Sequence, residues 1–141
     1  MTHLIAVDQS TSGTKALVID EEGRVYARAT RPHRQIYPRP GWVEHDAEEI
    51  YRNVLECLDE LARSDPRALA GVACLSLTNQ RETFVIFDRA TGAPLHNAVV
   101  WRCRRGDAVC RELADAGHAD DVRRVTGLPL DSYFPGPKLK Q

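Results

Sequence analysis

The sequence has little of several features that mark common classes of protein. It contains no run of about 18 apolar residues, so it predicts no transmembrane helix. Its 19 basic and 20 acidic residues give a formal net charge of -1, which supplies no electrostatic reason to bind nucleic acid or an anionic membrane. The predicted partners are therefore small molecules or proteins, with no nucleic acid and no membrane among them.

Cysteine is also scarce. The four cysteines include no CxxC pair, so neither a disulfide framework nor a zinc ribbon is indicated, and reduced thiols are expected. The N-terminal segment reaches the charged Asp8 too early to serve as a signal peptide. Together these features predict a cytoplasmic protein.

Two familiar phosphate-binding motifs are missing. Neither GxxxxGK[ST] nor GxGxxG occurs, so the P-loop and dinucleotide fingerprints do not apply. The length of 141 residues predicts one compact domain.

The first half of the chain predicts a meander followed by a crossover. Short apolar runs at 4–7 and 16–19 flank a polar turn, and the alternating segment 25–30 follows a second turn, which together indicate three antiparallel strands. Asp46 and Glu49 have capping spacing before a helical apolar pattern that ends near Ser64, ahead of Pro66. The continuous apolar run 72–77 predicts a strand covered on both faces at the centre of the sheet.

The remaining segments complete an α/β pattern. Segment 32–45 predicts an ordered loop that packs through its aromatic residues, and 84–87 and 98–101 predict short strands. Helices are predicted at 104–116 and 119–126, whereas the proline-rich tail 128–141 shows no regular signal. This order predicts a ribonuclease H-like (actin-like ATPase) domain, in which a mixed sheet with a three-stranded meander is flanked by helices.

The first polar turn has the composition of a phosphate cradle. Small residues let backbone N–H groups approach an anion, hydroxyls donate hydrogen bonds, and Lys15 adds positive charge. Asp8, at the end of a strand, is a suitable carboxylate for Mg²⁺ held through water. A plain Ser/Thr-rich hairpin turn accounts for the same residues equally well.

A second polar cluster, 78–83, follows the apolar run 72–77. Open α/β sheets place ligand sites at strand ends, and the adjacent Arg81 and Glu82 can donate to and accept from neighbouring hydroxyls of a polyol. An ordinary exposed ion pair is the alternative explanation.

Five segments in order resemble the FGGY carbohydrate kinase family, and within it the glycerol kinases. They are DQSTSGTK at 8–15, IYPRPGWVEHD at 36–46, SLTNQRET at 76–83, NAVVWRCRR at 97–105 and TGLPLDSYF at 126–134. The resemblance spans nearly the whole chain, and chance agreement of all five segments is remote.

The resemblance implies MgATP-dependent phosphorylation of glycerol to glycerol 3-phosphate in a cleft between two actin-like domains. It implies one carboxylate near Mg²⁺, residues that line the ATP phosphates, and residues that contact glycerol. These are, respectively, Asp8; Thr11, Ser12, Gly13 and Lys15; and Arg81, Glu82, Trp101 and Tyr133.

Several departures leave the substrate open. Ser10 stands where the family usually has Gly, and SGTK at 12–15 is closer to the xylulokinase and gluconokinase loop, so another sugar kinase is one alternative. Lys15 replaces an Arg, exchanging a bidentate donor for a point charge. The resemblance also implies that the general base and the adenosine-binding domain lie beyond residue 141. We therefore expect residues 1–141 to be the N-terminal portion of the first kinase domain, inactive alone and prone to self-association; a non-catalytic polyol- or phosphate-binding fragment is the other alternative.

Overall fold

Six strands and four helices lie in the part of the chain that the computed structural model describes, residues 2–64 and 69–141. In chain order they are β1 (His3–Gln9), β2 (Gly13–Ile19), β3 (Val25–Pro32), β4 (Glu44–His45), α1 (Ala47–Ser64), β5 (Val72–Thr78), β6 (Ala98–Val99), α2 (Asp107–Asp115), α3 (Ala119–Thr126) and α4 (Pro135–Lys140). None of these helices is long and apolar enough to cross a membrane.

Contacts within the chain group these elements into two compact units. Unit 1 comprises Met1–Gln35 and His45–Gln80, and unit 2 comprises Ile36–Glu44 and Arg81–Gln141. Unit 1 holds the larger sheet and α1, and unit 2 holds the other helices.

The larger sheet, in unit 1, has the strand order β3-β2-β1-β5. β1, β2 and β3 are antiparallel neighbours, whereas β5 runs parallel to β1, so the predicted meander and mixed sheet are confirmed. β1 and β2 extend further than predicted, because Asp8 pairs with Lys15 and Gln9 pairs with Thr14. Only residues 10–12 are left to form the turn between them.

Helix α1 covers one face of this sheet. Side chains alternate between faces along β1, so Ile5 and Val7 lie on one side and pack with Cys57 and Leu61 of α1. Val7 and Leu61 are each only 1% exposed. The core of unit 1 is therefore formed by the inner face of the sheet and one stripe of α1.

The N-terminal end of α1 is capped as predicted. The Oδ1 atom of Asp46 accepts hydrogen bonds from the backbone N–H groups of Glu48 and Glu49 at 2.9 and 3.2 Å. The predicted helix up to Ser64 is confirmed, and the predicted stop at Pro66 falls outside the described residues.

The prediction for β5 is wrong in its position. The strand forms, but it lies at the edge of the sheet. Val72 is half-buried, and the other six residues of the strand are exposed. Leu75 and Leu77 are 52% and 62% exposed, because α1 packs over β2 and β3 instead. A continuous apolar run favours a strand covered on both faces, and nothing in residues 2–64 or 69–141 supplies that cover for β5.

A second sheet consists of the two strands β4 and β6. Unit 2 has a smaller core of its own. Val43, Val99, Val100 and Cys103 form this core. The strand predicted at 98–101 is confirmed in part as β6. The strand predicted at 84–87 is wrong, because that segment makes only isolated bridges, at Phe84 to Val99 and at Phe87 to Pro94.

Loop 32–45 contributes one aromatic ring to the packing of unit 2. Trp42 lies between two guanidinium groups, with the Cζ atoms of Arg39 and Arg105 at 5.0 and 4.1 Å from its ring centroid. Tyr37 is 62% exposed, so packing through aromatics is confirmed for Trp42 and not for Tyr37. The loop is also interrupted by β4, which the sequence did not predict.

The helices of unit 2 depart from prediction mainly at their ends. α2 begins at Asp107, later than the predicted start, and α3 has the predicted bounds, ending at the left-handed Gly127 with φ 75°. The tail was predicted to be irregular, and this is wrong for α4. The prolines of the tail argued against a helix there. However, Pro135 and Pro137 lie in the first turn of α4, where a missing backbone N–H breaks no helical hydrogen bond.

Candidate active site

The turn between β1 and β2 closes on itself. Ser10 donates to the carbonyl oxygen of Gly13 twice, from its backbone N–H at 3.0 Å and from its hydroxyl at 2.8 Å. A Cβ atom on Gly13 would lie 2.5 Å from the carbonyl oxygen of Arg31 on β3. Glycine is therefore required here for close backbone packing, since the atom in the way belongs to the backbone.

The carbonyl groups of the turn are held from inside unit 1. The backbone N–H of His33 donates to the Ser12 carbonyl at 3.1 Å, and the Gln35 side chain donates to the Thr11 carbonyl at 3.0 Å. Their orientation is thus fixed by segment 33–35, which follows β3. Because its carbonyl oxygens already accept hydrogen bonds within unit 1, the turn can direct its backbone N–H groups toward an anion.

A buried polar network, which was not predicted from the sequence, includes the two residues that flank the turn, Gln9 and Thr14. The Thr14 hydroxyl donates to Gln9 Oε1 at 2.8 Å, and the other end of the Gln9 amide lies 2.7 Å from His33 Nε2. The Asn53 amide lies 2.9 Å from His33 Nδ1. Burial lowers the pKa of His33, although the charge of nearby Glu49 acts in the opposite direction. Both amides present an NH2 nitrogen to the ring, so a neutral imidazole, which keeps one acceptor nitrogen, suits this place better than a charged one, which has none.

Asp8, predicted to lie near Mg²⁺, and Lys15, predicted to face the phosphates, share one face of the sheet. Asp8 pairs across the strands with Lys15 on β2 and with Thr78 on β5, so all three side chains project from the face opposite α1. Asp8 is half-buried and Lys15 is exposed. Among the described residues no group of three potential metal ligands occurs. The Asp8 carboxylate is the kind of ligand that a Mg²⁺ ion retaining several waters accepts.

The predicted polyol residues lie in unit 2, and one of them is strained. Glu82, at φ 61°, is the only non-glycine with a positive φ in the described part of the chain. Arg81, before it, is exposed. Thr83, after it, accepts a hydrogen bond at its hydroxyl oxygen from the backbone N–H of Trp101 at 3.2 Å. Strained backbone persists where the surroundings hold it, and it often marks functional sites.

Trp101 and Tyr133 form an aromatic pair. Their ring centroids lie 5.7 Å apart at an interplanar angle of 58°, and Tyr133 also meets Phe134 edge to face at 5.1 Å. The backbone N–H of Tyr133 donates to the Asp131 carboxylate at 2.7 Å. The structure thus brings Glu82, Trp101 and Tyr133 into one connected part of unit 2.

Lys138 holds the backbone of both residues of this pair, a role that residue identity does not indicate because lysine is normally exposed. The residue is only 4% exposed. Its Nζ donates to the carbonyl oxygens of Val100, Trp101 and Tyr133 at 3.1, 2.6 and 3.1 Å. Burial lowers its pKa, and nearby negative charge, including that of Glu82, opposes the shift.

Comparison with known proteins identifies the family. The sequence profile described as "FGGY family of carbohydrate kinases, N-terminal domain" matches residues 3–140. The chain belongs to the FGGY family of carbohydrate kinases. The resemblance on the five segments is thereby confirmed.

Individual relatives of this FGGY chain are named glycerol kinases. A glycerol kinase of Delftia acidovorans is 49% identical over 140 residues, which are 99% of this chain and 28% of the relative. Glycerol kinase 1 of Thermotoga maritima is 43% identical over 138 residues, 98% of this chain and 28% of the relative. The chain therefore spans about 28% of the length of these relatives.

Solved structures agree on the fold of the FGGY chain. The crystal structure of Plasmodium falciparum glycerol kinase with ADP has a TM-score of 0.92 at 35% identity, over 99% of this chain and 28% of that one. Ligand-bound xylulose kinase from Lactobacillus acidophilus has a TM-score of 0.88 at 23% identity, with the same coverages. The predicted actin-like fold is confirmed.

Proposed function

We propose that the whole protein containing this chain transfers the γ-phosphoryl group of MgATP to glycerol, producing glycerol 3-phosphate. Kinase membership and relatives named glycerol kinase support the reaction class and the substrate. The observation that carries the substrate assignment is the strained Glu82 beside the Trp101–Tyr133 pair. A carboxylate accepts hydrogen bonds from hydroxyls, and an aromatic pair covers a short carbon skeleton.

The roles of the polyol residues follow from their chemistry. Arg81 donates to hydroxyl oxygens, Glu82 accepts from hydroxyl hydrogens, and the Tyr133 hydroxyl can do either. Trp101 packs against carbon. Holding a hydroxyl in line with the transferred group is worth several orders of magnitude in rate, because phosphoryl transfer depends mainly on positioning and charge stabilisation.

The phosphate side of the reaction falls to unit 1. Thr11, Ser12 and Gly13 would offer backbone N–H groups and hydroxyls to the phosphates, and Lys15 would add charge. Asp8 would hold hydrated Mg²⁺, which neutralises charge on the phosphates when it is bound. The likeness to an ADP-bound kinase supports a nucleotide as the donor.

We also propose that residues 1–141 alone do not turn over, and that the protein works in the cytosol, where its free cysteines stay reduced. In the proposed reaction a cleft between two actin-like domains would exclude water from the transferred phosphoryl group, and residues 1–141 span only about 28% of the length of the relatives.

The test is ATP-dependent formation of glycerol 3-phosphate by the whole protein and by the 141-residue chain, with xylulose and gluconate as competing substrates. We expect turnover of glycerol by the whole protein and none by the chain. A preference for xylulose or gluconate would identify that sugar as the substrate instead of glycerol. Absence of turnover with every sugar would favour a non-catalytic binding protein. Kinase-level turnover by the 141-residue chain would refute its predicted inactivity.

A further inference from the structure

Lys138 is a buried cation whose three donors are all used on main-chain oxygens. A lysine ammonium has three N–H donors and no acceptor. In unit 2 these three donors meet three carbonyl oxygens, on Val100, Trp101 and Tyr133, and the side chain is almost fully buried. No donor is left over to serve a substrate, so the group acts on the protein itself.

The chemistry of an ammonium is difficult to replace at this position. A methionine has similar length but no donor, and would leave three buried carbonyls without a partner. A glutamine has two donors but brings a carbonyl oxygen of its own among the other carbonyls. Hydrogen bonds from a charged donor are roughly twice as strong as neutral ones, so lysine fits the cluster best.

The position of Lys138 depends on the close packing of α4 against the start of α2. A Cβ atom on Gly106 would lie 2.9 Å from Pro137 Cβ and 3.0 Å from the Pro137 carbonyl carbon. Ser132 adds a further anchor by donating from its hydroxyl to Asp107 at the start of α2. α4 is thus pressed into unit 2 by contacts that leave no room for a larger residue at 106.

Two of the three acceptors are the backbone carbonyl oxygens of Trp101 and Tyr133, the two residues of the aromatic pair. Trp101 and Tyr133 lie on separate segments, and Lys138 Nζ donates a hydrogen bond to the backbone carbonyl oxygen of each. We propose that Lys138 is a positioning residue that sets the spacing of Trp101 and Tyr133, and so the shape of the polyol site, without touching the polyol. This inference rests on the proposed function for its kinetic consequence but not for its structural one.

The structural consequence can be measured on the 141-residue chain by spectroscopy. The chain has two tryptophans, and W42F removes the second emitter while keeping an aromatic ring beside Arg39 and Arg105. In this background we expect K138M to change the near-ultraviolet circular dichroism and the emission of Trp101. K140M is the matched control, because Lys140 lies on the same helix and its side chain is 56% exposed.

The kinetic consequence is measured on the whole protein with glycerol and ATP. We expect K138M to raise KM for glycerol about tenfold or more and to leave KM for ATP within about twofold, since only the polyol site is distorted. V109A is a second control, because Val109 is buried in unit 2 and its side chain has no donor to hydrogen-bond Trp101 or Tyr133. If K138M does not fold, K138Q replaces it, since it retains two donors.

Each outcome bears on the proposal. Altered Trp101 spectra together with a selective rise in KM for glycerol would support it. A folded K138M or K138Q chain with the spectra of the parent, or a loss of activity matched by V109A, would overturn it. If the whole protein does not phosphorylate glycerol, the proposed function fails, while the spectra still decide whether Lys138 sets the geometry of the pair.

Discussion

Arg105 donates to the carboxylate of Glu44 across 61 positions of sequence, and both side chains are nearly buried, at 8% and 4% exposed. Asn97 donates to the other carboxylate oxygen at 3.0 Å. Burial by itself would raise the pKa of Glu44, but hydrogen bonds from Asn97 and Arg105 outweigh burial and hold it below its usual value. This ion pair connects loop 32–45 to the segment that precedes α2.

We expect E44Q to lower the free energy of unfolding by about 3–5 kcal/mol, because it leaves the Arg105 charge buried without a counterion. Urea unfolding followed by tryptophan fluorescence measures this. R124Q is the control, since the Arg124–Asp121 pair is exposed and should contribute at most about 1 kcal/mol. Equal effects of E44Q and R124Q would contradict the prediction.

We expect G13A to destabilise unit 1 by about 1–3 kcal/mol, because its Cβ would lie 2.5 Å from the Arg31 carbonyl and the backbone would have to move. The same shift would disturb the proposed phosphate turn, so KM for ATP should rise in the whole protein. G136A is the control, since nothing lies within 4 Å of the added atom. Wild-type stability in G13A, measured by urea unfolding, would count against the close approach.

Replacing Glu82 by glycine should raise stability while abolishing the proposed reaction. Glycine adopts a positive φ without cost, so E82G should recover about 1 kcal/mol of strain. E82Q keeps the strain and should be unchanged in stability, yet it also loses glycerol phosphorylation because the charged acceptor is gone. Thermal unfolding measures the effect on stability, and kinase assays measure the effect on activity. An active E82G enzyme would show that Glu82 is not needed in the proposed polyol site.

His33 should make stability depend on pH in a defined direction. Its pKa lies below the ordinary 6.5, so the unfolded chain binds more protons than the folded chain between these two values. The free energy of unfolding should therefore fall as the pH drops below about 6.5 toward the folded pKa.

H33Q keeps amide hydrogen bonding and cannot titrate, so its stability should change less between about pH 7 and about pH 5. The exposed His118 offers the control H118Q. Urea unfolding across this range, above the titration of most carboxylates, gives the measurement. Identical pH profiles for H33Q and H118Q would show that His33 is not the responsible group.

The 141-residue chain should self-associate through the exposed apolar strand β5. Edge strands with apolar side chains pair with other chains, and Leu77 is 62% exposed at this edge. L77K should shift sedimentation toward monomer, whereas L95K, at a leucine of unit 2 that is 68% exposed, should not. Concentration-independent monomer in the unmodified chain would contradict the prediction.

Local patterns in the sequence were sufficient to predict most of the elements. The meander, the capped helix to Ser64, and α3 with Gly127 after it depend on periodicity, caps and turn residues within a few positions of one another. The five segments likewise sufficed to identify the family, because they are read directly from residue identity and order.

The three-dimensional arrangement decided what such patterns cannot express. The edge position of β5, the burial of Lys138 and the pairing of Glu44 with Arg105 depend on contacts between residues distant in sequence. Lysine, glutamate and arginine are exposed in most contexts, so only packing shows that their cost of burial is met by specific partners. Residue identity therefore determined the family and the local elements of this chain, whereas tertiary packing decided which polar groups are buried and what they hold in place.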